Sequence, residues 1–219
     1  MSRLVDWEAI DTVLLDMDGT LLDKHFDDYF WEELVPERFA ELNNIPVQEA
    51  RSLLLDLYRS REGTLEWTDL DYWSRRLNLD IPGLKNEVDH LIAVHPYVPD
   101  FLKFCRRKEK RVILVTNAHS KTLAIKMAKT GLDRFFDAIV CAEEVGTAKE
   151  DPGFWPSLQQ LLHFTPSRTM LADDNEKVLD SAASFGFGSL IFVARPSSRQ
   201  PVKRSHKYPS IVYFSELME

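Results

Sequence analysis

Five short runs of aliphatic or β-branched residues, at 13–15, 112–115, 138–141, 169–172 and 190–194, constrain this chain more than any other feature. Each is too short and too evenly apolar to be one face of an amphipathic helix, so each reads as a strand buried on both sides. Helical spacing fills the intervals: Phe154, Leu158, Leu161 and Leu162 fall on one face, as do Leu123, Ala124, Met127 and Ala128. Strand alternating with helix implies an α/β fold with a doubly wound parallel sheet. Such sheets take ligands in a crevice at the carboxyl ends of their strands, so the chemistry is expected there.

The alternation breaks between Lys24 and His95, where no strand run occurs. Val47, Ala50, Leu54, Leu57 and Tyr58 share one helical face. The stretch 26–42 supplies another, with Pro36 kinking or dividing it, and Thr68 is placed to cap a third helix running through Trp73 to Leu77. The 219 residues therefore divide into an α/β part, 1–23 and 96–219, and an all-helical insert, 24–95. The insert carries eight basic and fifteen acidic residues, which is seven of the chain's net −8 charges. Solvated outer helix faces account for that acidity.

A net negative chain lacks the cationic surface that a nucleic-acid polymer or an acidic membrane demands. The six basic residues of 103–111 close a helix, where cations complement the dipole, and 195–207, mixed with Pro and Ser, reads as a solvated loop. No apolar run approaches the roughly 20 residues of a membrane span. Asp6, Glu8 and Asp11 stand where a signal peptide would be apolar, which points to the cytoplasm. Cys105 and Cys141 have no CxxC or histidine company and read as two buried free thiols.

The chemistry gathers at strand ends. In Leu14-Leu15-Asp16-Met17-Asp18-Gly19-Thr20 a buried strand runs directly into two carboxylates one residue apart. A period of two sends both to the same side, and the turn at Gly19 exposes them. A second strand ends in Thr116-Asn117, and another in Asp173-Asp174-Asn175. Converging carboxylates call for a cation or a raised pKa. An all-oxygen ligand set of this kind favours Mg²⁺, which commonly shares its shell with a substrate phosphate. Lys149, in the loop before the helix near Gly153, is placed to hold an anionic substrate.

These four segments, in this order, resemble the haloacid dehalogenase superfamily: the aliphatic strand and DxDGT of Asp16 to Thr20, the strand ending in Thr116, Lys149, and the acid pair Asp173-Asp174. One departure is that Lys149 is followed by Glu150-Asp151-Pro152, where many members place Pro directly after the lysine. The resemblance implies a Rossmann-like core, a mobile helical cap formed by the insert, and a phosphoaspartyl mechanism. Asp16 would be the nucleophile and Asp18 the general acid and base. Mg²⁺ would be held by the Asp16 side chain, the Asp18 backbone carbonyl and Asp174, with Asp173 in support. Thr116, the Asn117 backbone N–H and Lys149 would take the phosphoryl oxygens. The second carboxylate, Asp18, points to a phosphate ester rather than a haloacid.

Within the superfamily, segments outside the shared motifs resemble bacterial GMP/IMP nucleotidases, among them Tyr29-Phe30-Trp31, Leu34 to Glu37, Leu70 to Ser74, Thr116 to His119 and Thr130 to Asp133. That implies a small-molecule partner, a purine nucleoside monophosphate. Tyr29, Trp31, Trp67, Tyr72 and Trp73 offer aromatic faces for stacking a base. The competing readings are a sugar-phosphate or phosphoglycolate phosphatase, a β-phosphoglucomutase-like phosphomutase, and a non-catalytic binding protein. Oligomeric state is not written in the residues.

Overall fold

A computed structural model describes residues 4–218. The outermost residues of the expected α/β segments, 1–3 and 219, lie outside the described residues. Six parallel strands form one sheet in the order β3-β2-β1-β4-β5-β6: β1 Thr12–Leu15, β2 Arg111–Thr116, β3 Ala138–Cys141, β4 Thr169–Asp173, β5 Ser189–Val193 and β6 Ser210–Ile211. The five apolar runs are the first five strands, displaced by a residue or two at most. β6, two residues long, is too short to leave a periodic signal.

Leu14, Ile113, Val115 and Leu171 point to one face of the sheet, and their neighbours Val13, Leu15, Val112, Leu114, Met170 and Ala172 to the other, as the period of two dictates. The first face packs on Phe154, Trp155, Leu158, Val178 and Leu179. The second packs on Trp7, Phe101, Phe104 and Phe214 and runs on into the helical segment through Phe26 and Phe30.

That segment lies between β1 and β2. Its helices are α1 His25–Tyr29, α2 Val35–Asn43, α3 Val47–Arg59, α4 Leu65–Thr68, α5 Leu70–Leu77 and α6 Ile81–Glu87. The first of these stretches is divided just ahead of Pro36. A π-helical turn, Phe30–Leu34, joins α1 to α2, and Pro36 is the second residue of α2, so regular α-helical bonding is interrupted next to the residue that lacks an N–H. Thr68 closes α4 instead of capping the next helix. Asp69 is the cap of α5, its Oδ1 accepting from the N–H groups of Asp71 and Tyr72.

The sheet's own helices follow: α7 Val98–Arg107, α8 Ser120–Thr130, α9 Ala142–Val145, α10 Phe154–Leu162 and α11 Glu176–Phe185. In α10 the expected face holds for Phe154 and Leu158, but Leu161 is exposed. In α8 the helix is rotated from the apolar reading, with Ala124 and Ala128 exposed and Thr122, Lys126 and Met127 buried.

The two connections between the sheet and the helical segment lie side by side. Leu22 bridges Val94 in antiparallel fashion, Asp23 N–H donates to Ala93 O at 2.9 Å, and His95 N–H to Leu21 O at 2.9 Å. The segment 195–207 is not wholly solvated. Ser197 is fully buried, Pro196 O accepts from Lys24 N–H, and Ser198 N–H donates to Asp23 Oδ1. Burial lowers the pKa of His95, whose ring lies 3.2 Å from Pro196 O at the same junction. Both cysteines are free and buried. Among the described residues no helix is long and apolar enough to cross a membrane.

Candidate active site

Parallel register brings the strand ends together. Leu15 pairs with Leu114 of β2 and Ala172 of β4, so the next residues, Asp16, Val115 and Asp173, stand level at the carboxyl edge. A cavity of about 480 Å³ opens there, within the range of small-molecule sites. Asp16, Asp18, Thr116, Asn117, Lys149, Asp173 and Asp174 all line it. The residues expected from the sequence therefore come together in one place.

Lys149 is the organising cation. Its Nζ donates to Asp16 Oδ1 at 2.5 Å, to Asp173 Oδ2 at 2.7 Å and to Val115 O at 3.3 Å. Burial alone would lower its pKa, but the two carboxylates outweigh burial and hold it charged. Asp173 is pushed up to about 7 by burial and by the charge of Asp16, against the pull of Lys149. Asp174 is raised well above its usual value for the same reasons, burial first and then Asp16 and Asp173. An acidic cluster that resists ionisation in this way is a site that a divalent cation would stabilise.

Two details fit a cation with oxygen ligands. Asp16 Oδ2 is buried without a hydrogen-bond partner, and one oxygen each from Asp16, Asp173 and Asp174 lies within 4.8 Å of the others. Gly19 makes the room: at φ +83° it follows a path that only glycine takes readily, and a Cβ there would stand 2.5 Å from Asp174 Oδ2.

The loops around this centre are cross-braced by Glu150. Its Oε2 accepts from Asn117 Nδ2 at 2.8 Å and its Oε1 from Asn175 Nδ2 at 2.9 Å, while Asn117 Oδ1 accepts from Lys149 N–H at 3.0 Å. The residue that departs from the family pattern thus ties together the ends of β2 and β4 and the lysine loop. The Asn117 side chain is engaged in this brace through both its amide nitrogen and its amide oxygen. Thr116 Oγ1 accepts from Ala118 N–H at 2.9 Å, so its own hydroxyl hydrogen is free to donate.

The sequence did not reveal the second buried lysine. Lys126 of α8 donates to Asp18 Oδ1 and to Asp27 Oδ2, each at 2.5 Å, and Asp27 Oδ1 accepts from Lys85 of α6 at 3.1 Å. Lys85 lies over the rings of Phe26 and Phe30, 4.8 and 4.4 Å from their centroids. Burial pushes Asp18 up to about 6 despite Lys126. Asp27 is held at about 2, because Lys126 and Lys85 together overcome its burial. The only trace in the sequence is a lysine four residues after the polar Thr122 and beside Met127.

The acidity of the helical segment is also partly engaged. Lys121 and Lys129 of α8 pair with Asp71 at 2.6 Å and Asp89 at 3.2 Å, so one helix meets three of the segment's acids. His119 lines the cavity and lies 3.3 Å from Glu143 and 3.7 Å from Asp69. Its Nδ1 accepts from Lys121 N–H, so in the neutral ring Nε2 carries the proton and has no lone pair for a metal. Of the expected stacking residues Trp31 and Trp67 line the cavity, together with Tyr58. Tyr29, Tyr72 and Trp73 do not, and Trp73 is fully buried among Trp31, Tyr58, Trp67 and Tyr72.

A doubly wound sheet whose strand ends gather three carboxylates and a lysine is suited to handling a phosphoryl group beside a metal ion. The model of the family described as haloacid dehalogenase-like hydrolase matches residues 10–186, and the chain belongs to that family. It is 38% identical over 98% of its length to the GMP/IMP nucleotidase YrfG of Escherichia coli strain K12, covering 96% of that protein. It is 20% identical over 81% of its length to the phosphorylated carbohydrates phosphatase of Thermotoga maritima, covering 82% of it. A solved structure described as a HAD phosphatase from Thermococcus onnurineus superimposes with a TM-score of 0.81 at 22% identity, covering 95% of this chain and 96% of that one.

Proposed function

We propose that the protein is a Mg²⁺-dependent phosphomonoesterase that releases phosphate from GMP or IMP through a phosphoaspartate. The observation that carries the reaction is Asp16: a carboxylate at a strand end, one oxygen held by Lys149 and the other buried without a partner. The resemblance to the E. coli GMP/IMP nucleotidase over nearly the full length of both chains supports the substrate.

In this reading Asp16 attacks phosphorus in line. Asp18 gives a proton to the departing ester oxygen, then takes one from the water that attacks the acyl phosphate. The nucleophile must be ionised while the acid beside it holds a proton, and burial that lifts Asp18 to about 6 suits it to giving up a proton and then taking one back. Thr116, the Asn117 N–H and Lys149 orient the phosphoryl oxygens. Asp16, the Asp18 backbone carbonyl and Asp174 would hold Mg²⁺, with Asp173 kept in place by Lys149 and by Asn175 N–H. When bound, the ion supplies charge neutralisation for the phosphoryl group. Residues 24–95 act as a cap over the α/β part formed by 1–23 and 96–219, and Trp31, Tyr58 and Trp67 line its share of the cavity. The substrate is a small molecule, and the two buried thiols suit a reducing, cytoplasmic setting.

A panel of phosphate esters tests the reading. GMP and IMP are expected to give the highest kcat/KM, with phosphate released in the absence of any bisphosphate activator. A preference for sugar phosphates or phosphoglycolate would overturn the specificity and leave the chemistry standing.

A further inference from the structure

We propose that Lys126 is a positioning residue for Asp18, fixing one oxygen of that carboxylate and making its orientation depend on the seating of the helical segment. The proposal rests on the acid–base role given to Asp18 above. Lys126 is 1% exposed, and a buried ammonium is costly unless it is paired. Its two partners come from different parts of the chain: Asp18 follows β1, whereas Asp27 lies in α1 of the helical segment and is fixed there by Lys85. Asp18 lines the cavity with its side chain 25% exposed, and Oδ1 is taken by Lys126, so Oδ2 is the oxygen left for the substrate.

An unanchored aspartate would sample several rotamers, whereas proton transfer needs Oδ2 within hydrogen-bond reach of the ester oxygen. With Oδ1 anchored, the proton on Oδ2 passes to the ester oxygen as the P–O bond breaks and the bond from phosphorus to Asp16 forms, and the alcohol leaves neutral. Asp27 completes the arrangement. If the helical segment moves away, Lys126 loses its second partner and the anchor on Asp18 loosens.

The test compares Lys126→Met with Asp18→Asn on two substrates. IMP has an alkoxide leaving group that needs a proton, and p-nitrophenyl phosphate has a phenolate that leaves without one. Because kcat/KM covers the steps through alcohol release, it isolates the proton donation. For Lys126→Met, kcat/KM on IMP is expected to fall on the order of 10²-fold, with the loss on p-nitrophenyl phosphate about tenfold smaller. KM for IMP should stay within about threefold, because Lys126 does not bind the phosphoryl group. Equal losses on both substrates, or none, would overturn the positioning role. Selectivity in Asp18→Asn without selectivity in Lys126→Met would overturn this proposal alone, while its absence from Asp18→Asn would overturn the acid–base reading and this proposal with it. Asp27→Asn keeps Lys126 paired to Asp18 while weakening the second anchor. It should show the same selectivity at about tenfold loss. A loss in that variant that ignores the leaving group, or no loss, overturns the proposal even where Lys126→Met does not fold.

Discussion

Two buried lysines, each clasped between two aspartates, serve different ends. Lys149 joins Asp16 to Asp173, two carboxylates that stand level at the edge of one sheet, where register fixes their separation, and it reaches them from the loop braced by Glu150. Lys126 joins Asp18 to Asp27, and that pairing crosses from the sheet to the helical segment. In the first arrangement both carboxylates are as fixed as the strands that carry them. The second persists only while two parts of the chain are docked. The same chemical motif is thus a fixed fixture in one place and a conditional one in the other, and the difference lies in what the second carboxylate is attached to.

The largest effect should come from the rigid centre. Asp16→Asn removes the nucleophile, and steady-state phosphate release on IMP is expected to fall by at least about 10⁴-fold. Residual turnover near wild type would remove Asp16 from the reaction. Lys149→Met comes next. It strips the cation from a pair of buried carboxylates and from the phosphoryl oxygens, and kcat/KM should drop roughly 10²–10³-fold, by the scale of a lost transition-state donor. A loss no larger than that of Lys126→Met would erase the contrast drawn between the two lysines.

Gly19→Ala probes the same centre more gently. The added Cβ would press on Asp174 and strain a positive φ, so the Mg²⁺ concentration giving half-maximal activity is expected to rise about 10-fold or more. Saturating Mg²⁺ should restore most of the rate. An unchanged Mg²⁺ requirement would mean that Asp174 does not ligate the ion. The smallest effect belongs to the exposed docking pair. Lys121→Ala cuts a bridge to Asp71 whose partners are nearly half exposed, and thermal or urea unfolding should show a loss of no more than about 1 kcal/mol. Its kcat/KM should stay within about twofold. A larger loss would show that docking of the helical segment rests on exposed charge as much as on the buried Lys126.

Much of the first centre was legible in the sequence because its parts are adjacent to strong signals. Asp16, Thr116 and Asp173 each sit at the end of an unbroken apolar run, and a buried strand that stops in a polar group announces a site at the sheet edge. The second centre was not legible. A lysine in an amphipathic helix ordinarily reads as solvent-facing, and the partners that bury Lys126 lie 108 and 99 residues away. Glu150 was visible only as a departure from a familiar pattern; that it braces Asn117 and Asn175 depends on three loops meeting in space. Local competition explains the remaining differences. Asp69 outcompetes Thr68 as a cap because its carboxylate reaches two N–H groups, and the division at Pro36 takes the form of a π-turn, which apolar spacing does not announce.

The side-by-side pairing of Leu22 with Val94 has a consequence for how such a chain can change over generations. A segment that leaves and rejoins the sheet at neighbouring points can lengthen, shorten or be exchanged without shifting the register of any strand. The reaction and the choice of substrate are then free to evolve on separate schedules, with the lysine–aspartate contact across the junction as a place where a new segment must match the old machinery.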